Sequence, residues 1–191
     1  MLASIRIKYV IVIVLLVIVA GVGVVWANQT AYAHRQWATM FRESQRLRSH
    51  LEIAAYLLNT PTIETNKTTQ NWFSNELHYA KDNLYELEAV DQGHWLQLNR
   101  MDTMIEDVDS YWPIFGLNSS MKSDFAGSMH DLGDKVVKAY GVYGDYISGP
   151  SIWYFGSAPP DESNLEEALK LVEHVEKTLY DLQTVHLPTQ P

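Results

Sequence analysis

The 191-residue chain contains no cysteine. This excludes a disulfide framework, a thiolate metal site, covalent haem attachment and a cysteine nucleophile. Basic residues are also scarce, since 14 Lys and Arg stand against 23 Asp and Glu, for a formal net charge of −9. Because binding of a phosphate backbone needs a basic face, this balance argues against nucleic acid as a partner. The folded part of the chain must therefore be stabilised by packing.

Sequence signatures of strands and of catalysis are missing as well. No run of alternating apolar and polar residues is long enough for a convincing strand, and we find no internal repeat. No phosphate-binding glycine motif or nucleophile elbow occurs. The seven histidines show none of the usual zinc or haem spacings, and the nearest pairs are His78 with Asp82 and His130 with Asp134. We predict no enzyme activity, no cofactor and no metal site, and keep an enzyme as the least favoured alternative.

One long hydrophobic run is present, from Tyr9 to Ala27. Its nineteen residues carry no charge, and thirteen of them are Val, Ile or Leu. At ~1.5 Å per residue a helix of this length reaches about 28 Å, close to the ~30 Å hydrocarbon thickness of a bilayer. We predict a transmembrane helix over 9–27 that contacts the lipid bilayer.

Two other interpretations of this run remain open. A cleavable signal peptide would fit a small-residue site at Ala31-Tyr32-Ala33 and would release a secreted protein cut near Ala33. The apolar core is longer than signal peptides usually have, which favours an uncleaved anchor. A buried helix of a soluble protein fits least well, because such a helix rarely lacks a polar face over this length.

The charges beside the run predict its orientation. Arg6 and Lys8 precede it without any acidic residue, and such a bias keeps the N-terminus in the cytoplasm. We therefore expect a single-pass membrane protein with a cytoplasmic end at 1–8, an extracytoplasmic domain at 28–187 and a tail at 188–191. Gly23 and Ala27 stand four residues apart, a spacing that allows close helix contact in a homo-oligomer or with another membrane protein.

Helical periodicity continues beyond the hydrophobic run. Apolar residues recur in steps of three and four from Ala33 to Leu58, with Ser44 as the one polar member, and no Gly or Pro interrupts the chain between Gly23 and Pro61. We predict one continuous, coiled-coil-like helix from Tyr9 to Leu58, followed by a polar linker over 62–69.

Four further apolar stripes follow. Two lie over 73–87 and 98–112, and we expect the second to stop at Pro113. Asp91-Gln92-Gly93 predicts a turn between them, although the periodicity also allows one helix of about forty residues. The others lie over 121–143 and 165–185, and Ser163 with Glu166 predicts a capping box. The fold class is therefore all-α, an N-terminal transmembrane helix running into an antiparallel bundle of four or five helices.

The segment 141–160 is rich in Gly, Pro and aromatic residues and is predicted to be a loop. In an up-and-down bundle this loop would lie beside the bilayer, where Trp and Tyr favour the interface. Its aromatic residues could form a binding patch for lipid or a partner, or could cap the open end of the bundle core. The predicted binding residues are Tyr143, Tyr146, Trp153, Tyr154 and Phe155.

Two charged helix faces and three glycosylation sequences need no specific function. Arg35, Arg42 and Arg46 share one face of the first helix, and Asp102, Glu106 and Asp109 share one face of the third. We expect both faces to be solvated. For the acidic face, a calcium site is the alternative, and the third helix lacks the ligand pattern of a calcium loop. Acceptor sequences for N-glycosylation begin at residues 28, 66 and 118.

These features predict a membrane-anchored extracytoplasmic helical bundle that acts by binding. The architecture resembles the outer half of bacterial and archaeal transmembrane sensors, without any motif to support the likeness. Since no second hydrophobic span follows, we expect an accessory or sensor-like subunit that recognises a partner protein or a small ligand. The partner would be another membrane or extracytoplasmic protein, and the alternative is a structural component of the cell envelope or of a membrane complex.

Overall fold

The computed structural model describes the backbone over 2–115, 119–148 and 160–186, and side chains at 9 and over 11–111, 119–142 and 160–182. These residues form five α-helices and no strand, which confirms the all-α class. The helices are α1 (Leu2–Leu58), α2 (Lys67–Val90), α3 (Trp95–Phe115), α4 (Ser119–Ser148) and α5 (Glu162–His186).

Helix α1 is unbroken over 57 residues, which confirms the single helix predicted from Tyr9 to Leu58. Its large apolar side chains between Ile11 and Val25 are all half exposed or more, whereas Trp37 is only 4% exposed. The N-terminal part is long and apolar enough to cross a membrane, a property that signal sequences share. One helix thus carries a fully apolar surface at one end and a one-sided core stripe at the other.

The turn at 91–94 separates α2 from α3, so the alternative of one long helix is wrong. The backbone leaves helical geometry at Asp91 (φ −102°, ψ 72°). The Asp91 N–H still donates to the Leu87 carbonyl at 2.7 Å, and the His94 N–H then donates to the Asp91 carbonyl at 3.2 Å. Asp91 therefore ends α2 while closing a tight turn.

Two helices extend beyond their predicted ends. Helix α3 passes Pro113 and ends at Phe115, because a proline this close to a helix end removes only one hydrogen bond of the last turn. Helix α4 continues to Ser148, so the first eight residues of the predicted loop 141–160 are helical. An internal glycine costs a helix only about 1 kcal/mol, and no proline occurs in this segment before Pro150. Residues 149–159 lie outside the described part.

The start of α5 is also capped differently from the prediction. Asp161, rather than Ser163, is the capping residue. Its Oδ1 accepts the Ser163 N–H at 3.1 Å, and its Oδ2 accepts the Asn164 side-chain amide at 2.8 Å. Asp accepts from free helix N–H groups as well as Ser does, and its charge also favours this end of the helix dipole. At α2, Asn66 plays the same part within the predicted linker by accepting the Thr68 N–H at 2.9 Å.

Contacts between helices give the direction of α2 and α4 relative to α1. His50 of α1 meets Glu76 of α2. On the other side of α1, Arg48 meets Asp134 and Glu52 faces His130. Because numbers rise along α1 where they fall along α4, these two helices are antiparallel. We call the end of the bundle from which the apolar part of α1 emerges the proximal end.

The remaining helices complete a ring in the order α1, α2, α3, α5, α4. Lys81 contacts Glu106 and Ser74 contacts Asp109, so α2 and α3 are antiparallel. An odd ring of alternating helices must contain one parallel pair, and here it is α3 with α5, because their first turns line the same cavity. Further along, Arg100 of α3 meets Glu173 and Glu176 of α5. The up-and-down order that the stripes predict is therefore present over the described residues.

The core fills the centre of this ring, and every helix contributes its apolar stripe. Its largest fully buried side chains include Tyr140, Phe73 and Phe125. Ser44, the polar member of the α1 stripe, is completely buried and donates its hydroxyl hydrogen to the Phe41 carbonyl at 2.8 Å. This local bond satisfies the hydroxyl without a partner from another helix.

Helix α4 approaches α1 closely at Gly133. A Cβ atom added there would lie 3.0 Å from the Arg48 Cα and 3.3 Å from the Arg48 Cβ. Gly127 lies on a different face of α4, and a Cβ atom added there has no atom within 4 Å. Glycine at 133 therefore allows α4 to approach the backbone of α1.

We expect Gly133→Ala to destabilise the protein by about 1–2 kcal/mol, because α1 and α4 must separate to accept the methyl group. The matched variant Gly127→Ala should stabilise it by up to about 1 kcal/mol through helix propensity alone. Denaturant unfolding of the full chain in detergent measures both. Equal stabilisation by the two substitutions would contradict the close packing of α1 and α4.

Candidate functional site

The predicted aromatic patch falls largely outside the described part of the chain. Trp153, Tyr154 and Phe155 belong to the segment 149–159, which is not described. Tyr143 and Tyr146 lie in the last turns of α4, but their side chains are also outside the described residues. The structure therefore does not test whether these five residues meet, and the patch stays a prediction.

A buried polar cluster closes the proximal end of the bundle. The Asp91 carboxylate is only 7% exposed as a residue, and its Oδ2 accepts the hydroxyl hydrogen of the fully buried Tyr140 at 2.8 Å. The His94 Nδ1 lies 2.9 Å from the same oxygen. Nearby, the Asp161 N–H donates to the Ala139 carbonyl at 2.9 Å. These bonds join the α2–α3 turn to α4, and α4 to the start of α5.

Beside this cluster, a cavity of about 290 Å³ lies between the first turns of α3 and α5. His94 and Gln97 line it from α3, and Glu162 and Glu166 line it from α5. The two glutamates lie in the first turns of α5, where acidic side chains stabilise the helix dipole. Their position is thus explained by helix stability without a ligand.

The buried carboxylate of Glu76 organises the contact between α1 and α2. Its Oε2 lies 2.7 Å from the His50 Nδ1, and its Oε1 accepts the Trp72 indole N–H at 2.9 Å. The His50 ring also packs on Tyr79, with ring centroids 5.3 Å apart. Both carboxylate oxygens are occupied, so this cluster fixes the two helices against each other.

Two charged faces noted in the sequence have partners within the protein. On α1, Arg42 and Arg46 both pair with Glu43, which is 4% exposed as a residue, at 2.7 and 3.2 Å. Arg35 is exposed. All three arginines are exposed, as expected of a solvated face, although Glu43 binds two of them.

On α3, the predicted acidic face is divided among neighbours. Lys81 binds Glu106 at 2.8 Å and lies 3.9 Å from Asp102. The hydrogen bond from Lys81 lowers the pKa of Glu106, whereas burial raises the pKa of Asp102 despite the same lysine. Asp109 accepts the Ser74 hydroxyl hydrogen at 2.6 Å. Among the described residues no group of three or more His, Asp or Glu side chains could hold a metal ion.

A wide groove that is open to solvent lies between α4 and α5. Its volume is about 720 Å³. The α4 wall is a stripe of small and acidic residues at helical spacing, and the α5 wall adds one apolar and one histidine side chain. Its lining residues are Ser120, Ser123, Asp124, Gly127, Ser128, Asp131, Leu171 and His174.

Ser128 is the distinctive residue of this groove. It is only 7% exposed, yet its hydroxyl forms no hydrogen bond with any described residue. Helical serines usually bond to a preceding backbone carbonyl, as Ser44 does. No described side-chain polar atom is both fully enclosed and unpartnered, so the Ser128 oxygen must reach the open space of the groove. A hydroxyl that reaches open space can bond to water or to a bound molecule.

The charges of the groove are acidic. Asp124 is paired with the His174 Nε2 at 2.9 Å, and the exposed Asp131 has no partner among the described side chains. No Lys or Arg lines the groove. Lys135 pairs with Glu167, and Lys170 acts on the same glutamate. The groove can therefore accept hydrogen bonds and positive charge from a ligand.

Sequence reasoning missed this groove. The signal available was the small-residue run Ser120, Ser123, Gly127 and Ser128 on one face of the fourth amphipathic segment. That face became a groove wall only because α5 packs beside it, which no local pattern shows. Searches of family models, curated proteins and solved structures found no match to this chain.

We expect Tyr140→Phe to destabilise the full chain by about 1–3 kcal/mol, because the buried Asp91 carboxylate loses a hydrogen-bond donor. Tyr180→Phe serves as the control, since Tyr180 is 65% exposed and should change stability by less than about 0.5 kcal/mol. Thermal unfolding followed by circular dichroism compares the two variants. A Tyr140→Phe protein as stable as the control would show that Asp91 does not depend on this bond.

Proposed function

We propose that this chain is a membrane-anchored, extracytoplasmic binding protein. Helix α1 holds the bundle at the bilayer through Tyr9 to Ala27, and the groove between α4 and α5 takes up a ligand. The observation that carries the binding function is the groove itself, which has a volume of about 720 Å³ and is lined by Ser128, Asp124 and His174. The Ser128 hydroxyl has no hydrogen bond to any described residue and is free to bond to another molecule.

The exposed apolar part of α1 supports the anchor. Every large apolar side chain from Ile11 to Val25 is at least 50% exposed, and this surface gains several kcal/mol from transfer into lipid. The positive charges of Arg6 and Lys8 favour a cytoplasmic N-terminus. In this orientation the bundle lies outside the cytoplasm, and the continuous helix joins it rigidly to the span.

A protein partner at the proximal end is the second part of the proposal. Antiparallel packing brings the end of α4 at Ser148 and the start of α5 near Pro160 to this end. The predicted aromatic residues from Tyr143 to Phe155 lie between or beside these two points in the sequence. This supports a contact surface, close to the membrane, for another membrane or extracytoplasmic protein, as expected of an accessory or sensor-like subunit.

The natural absence of cysteine allows a direct test of topology. Gln45 is exposed on α1, and a Gln45→Cys variant should react with a membrane-impermeant maleimide added to intact cells. The matched variant Ser4→Cys should react only after lysis, because residue 4 precedes the span. The opposite pattern would invert the proposed orientation, and a shortened product would favour a cleaved signal peptide.

A second experiment separates a binding subunit from a structural component. We expect crosslinking in intact membranes, followed by solubilisation and pull-down, to recover one membrane or extracytoplasmic protein in stoichiometric amount. Replacement of Trp153, Tyr154 and Phe155 by Ala should reduce this recovery at least about three-fold if the aromatic patch is the contact. Recovery of the chain bound only to itself would instead support a structural role.

A further inference from the structure

We infer that Trp95 and Leu96, at the start of α3, enter the headgroup layer of the bilayer and hold the bundle against the membrane. The partner of this pair is the bilayer itself, with headgroups that carry no net charge. The inference rests on the proposed membrane anchor, because a span over Tyr9 to Ala27 is what places a bilayer at the proximal end of the bundle.

Leu96 is an exception on the surface of the bundle. It is 59% exposed, and outside the apolar part of α1 it is the one exposed Leu, Ile, Val or Met among the described side chains. Its neighbour Trp95 is 53% exposed. A single exposed leucine is common on protein surfaces, but this one adjoins a tryptophan at the proximal end. The bundle therefore exposes its least polar surface pair on the side that faces the membrane.

The proximal end lies close to the level at which the span ends. His50 of α1 is beside Glu76 of α2, and Asp91 lies fifteen residues beyond Glu76. Antiparallel packing therefore places Asp91 level with Arg35, which lies fifteen residues before His50. Arg35 is eight residues beyond Ala27, or about 12 Å along α1. The headgroup layer, about 6 Å thick, fills half of this distance.

Two properties of the pair close the remaining distance. Side chains of a helix lean toward its N-terminus, so Trp95 and Leu96 lean from the first turn of α3 toward the membrane. Helix α3 is separated from α1 by α2 in the ring, which places it about 15 Å to one side of the span. A tilt of α1 by about 20°, usual for spanning helices, lowers this side of the bundle by about 5 Å. Contact of the pair with lipid favours this direction of tilt.

The chemistry of the pair suits the interface between lipid and water. Trp places its rings among the headgroups while its indole N–H stays hydrated, and Leu adds apolar area that gains free energy in lipid. The exposed charges near this end are mixed, with Arg35 on α1 and the acidic Asp161 and Glu162 at the start of α5. Attraction to anionic lipid needs clustered Lys or Arg, and the described residues beside the pair include no such cluster. The contact is therefore apolar.

Fluorescence quenching by lipid tests this contact in the full chain, reconstituted into phosphatidylcholine vesicles. The absence of cysteine allows a single fluorescent label at Gln92→Cys, an exposed position in the turn beside the pair. Phosphatidylcholine with bromine on the upper part of its acyl chains quenches a fluorophore that enters the interface. We expect this lipid to lower the fluorescence of the Gln92→Cys label by about two-fold, because the turn is held at the membrane.

Two other label positions calibrate the measurement. Val24→Cys in the span should be quenched at least as strongly, since Val24 is 61% exposed and lies within the hydrocarbon. Tyr180→Cys should not be quenched, because Tyr180 is exposed but lies about 27 Å beyond Glu162 along α5, away from the membrane.

A pair of double variants, each carrying the Gln92→Cys label, assigns the contact to the two side chains. Trp95→Ser with Leu96→Ser should remove at least about half of the quenching, because apolar area is lost from the interface. Tyr56→Ser with Tyr180→Ser also removes two large exposed side chains, but far from the proximal end, and should leave the quenching unchanged. Quenching should also be the same with and without phosphatidylglycerol, at low and at high salt.

Membrane contact by the pair is ruled out if the Gln92→Cys label is not quenched while the Val24→Cys label is, and the anchor then stands without it. An equal loss of quenching in the two double variants, or quenching that needs anionic lipid and disappears in salt, also rules it out. Shielding of the Gln92→Cys label from iodide in native membranes but not in vesicles would assign the pair to a protein partner instead. A lack of quenching at both Gln92 and Val24 would reject the membrane anchor of the proposed function as well.

Discussion

The unbroken helix α1 is the constraint on which the rest of the structure depends. Along its 57 residues the backbone satisfies its own hydrogen bonds, so the helix can pass from an all-round apolar surface to a one-sided stripe without a joint. The other helices must cover that stripe. Helices α2 and α4 pack on its two sides. The core of the bundle forms around the apolar stripe of α1, beyond the part of the helix that is apolar all round. A displacement of the span along its axis would therefore move the whole bundle with it.

Polar groups, rather than additional apolar area, determine how the helices are aligned along this rod. Glu76 with His50 aligns α2 on α1, Asp91 with Tyr140 aligns the α2–α3 turn on α4, and Arg48 with Asp134 aligns α4 on α1. An apolar stripe alone tolerates a shift by one helical turn, since a similar face is presented every three or four residues. A buried carboxylate does not tolerate such a shift, because it would lose its donors. Gly133 adds a steric requirement at the same α1–α4 contact.

Ser128 differs from these alignment groups. Glu76 and Asp91 each have two partners within the protein, whereas the Ser128 hydroxyl has none among the described residues and faces a groove. Polar groups with partners explain how the helices are aligned, and a hydroxyl that faces an open groove is available to a ligand. For this reason the groove between α4 and α5, rather than the more polar cluster at the proximal end, is the basis of the proposed binding function.

The sequence by itself predicted the helical class, the apolar stripes and the continuity of Tyr9 to Leu58, because these depend on periodicity. It favoured a turn at Asp91 to Gly93 through local backbone preferences but left one long helix open. It misplaced the ends of α3 and α4 and the cap of α5. At these places the conformational preference of a single residue, such as Pro113, Gly141 or Ser163, did not decide where the helix begins or ends. Only the tertiary structure decided the order of helices in the ring, the parallel pairing of α3 with α5, and the partners that Glu76 and Asp91 find on other helices. It alone showed that Ser128 and Asp131 face Leu171 and His174 across a groove. The contacts of Glu76 with His50, Asp91 with Tyr140 and Asp124 with His174 join residues 26, 49 and 50 positions apart. Their geometry depends on how whole helices pack, which no local pattern contains.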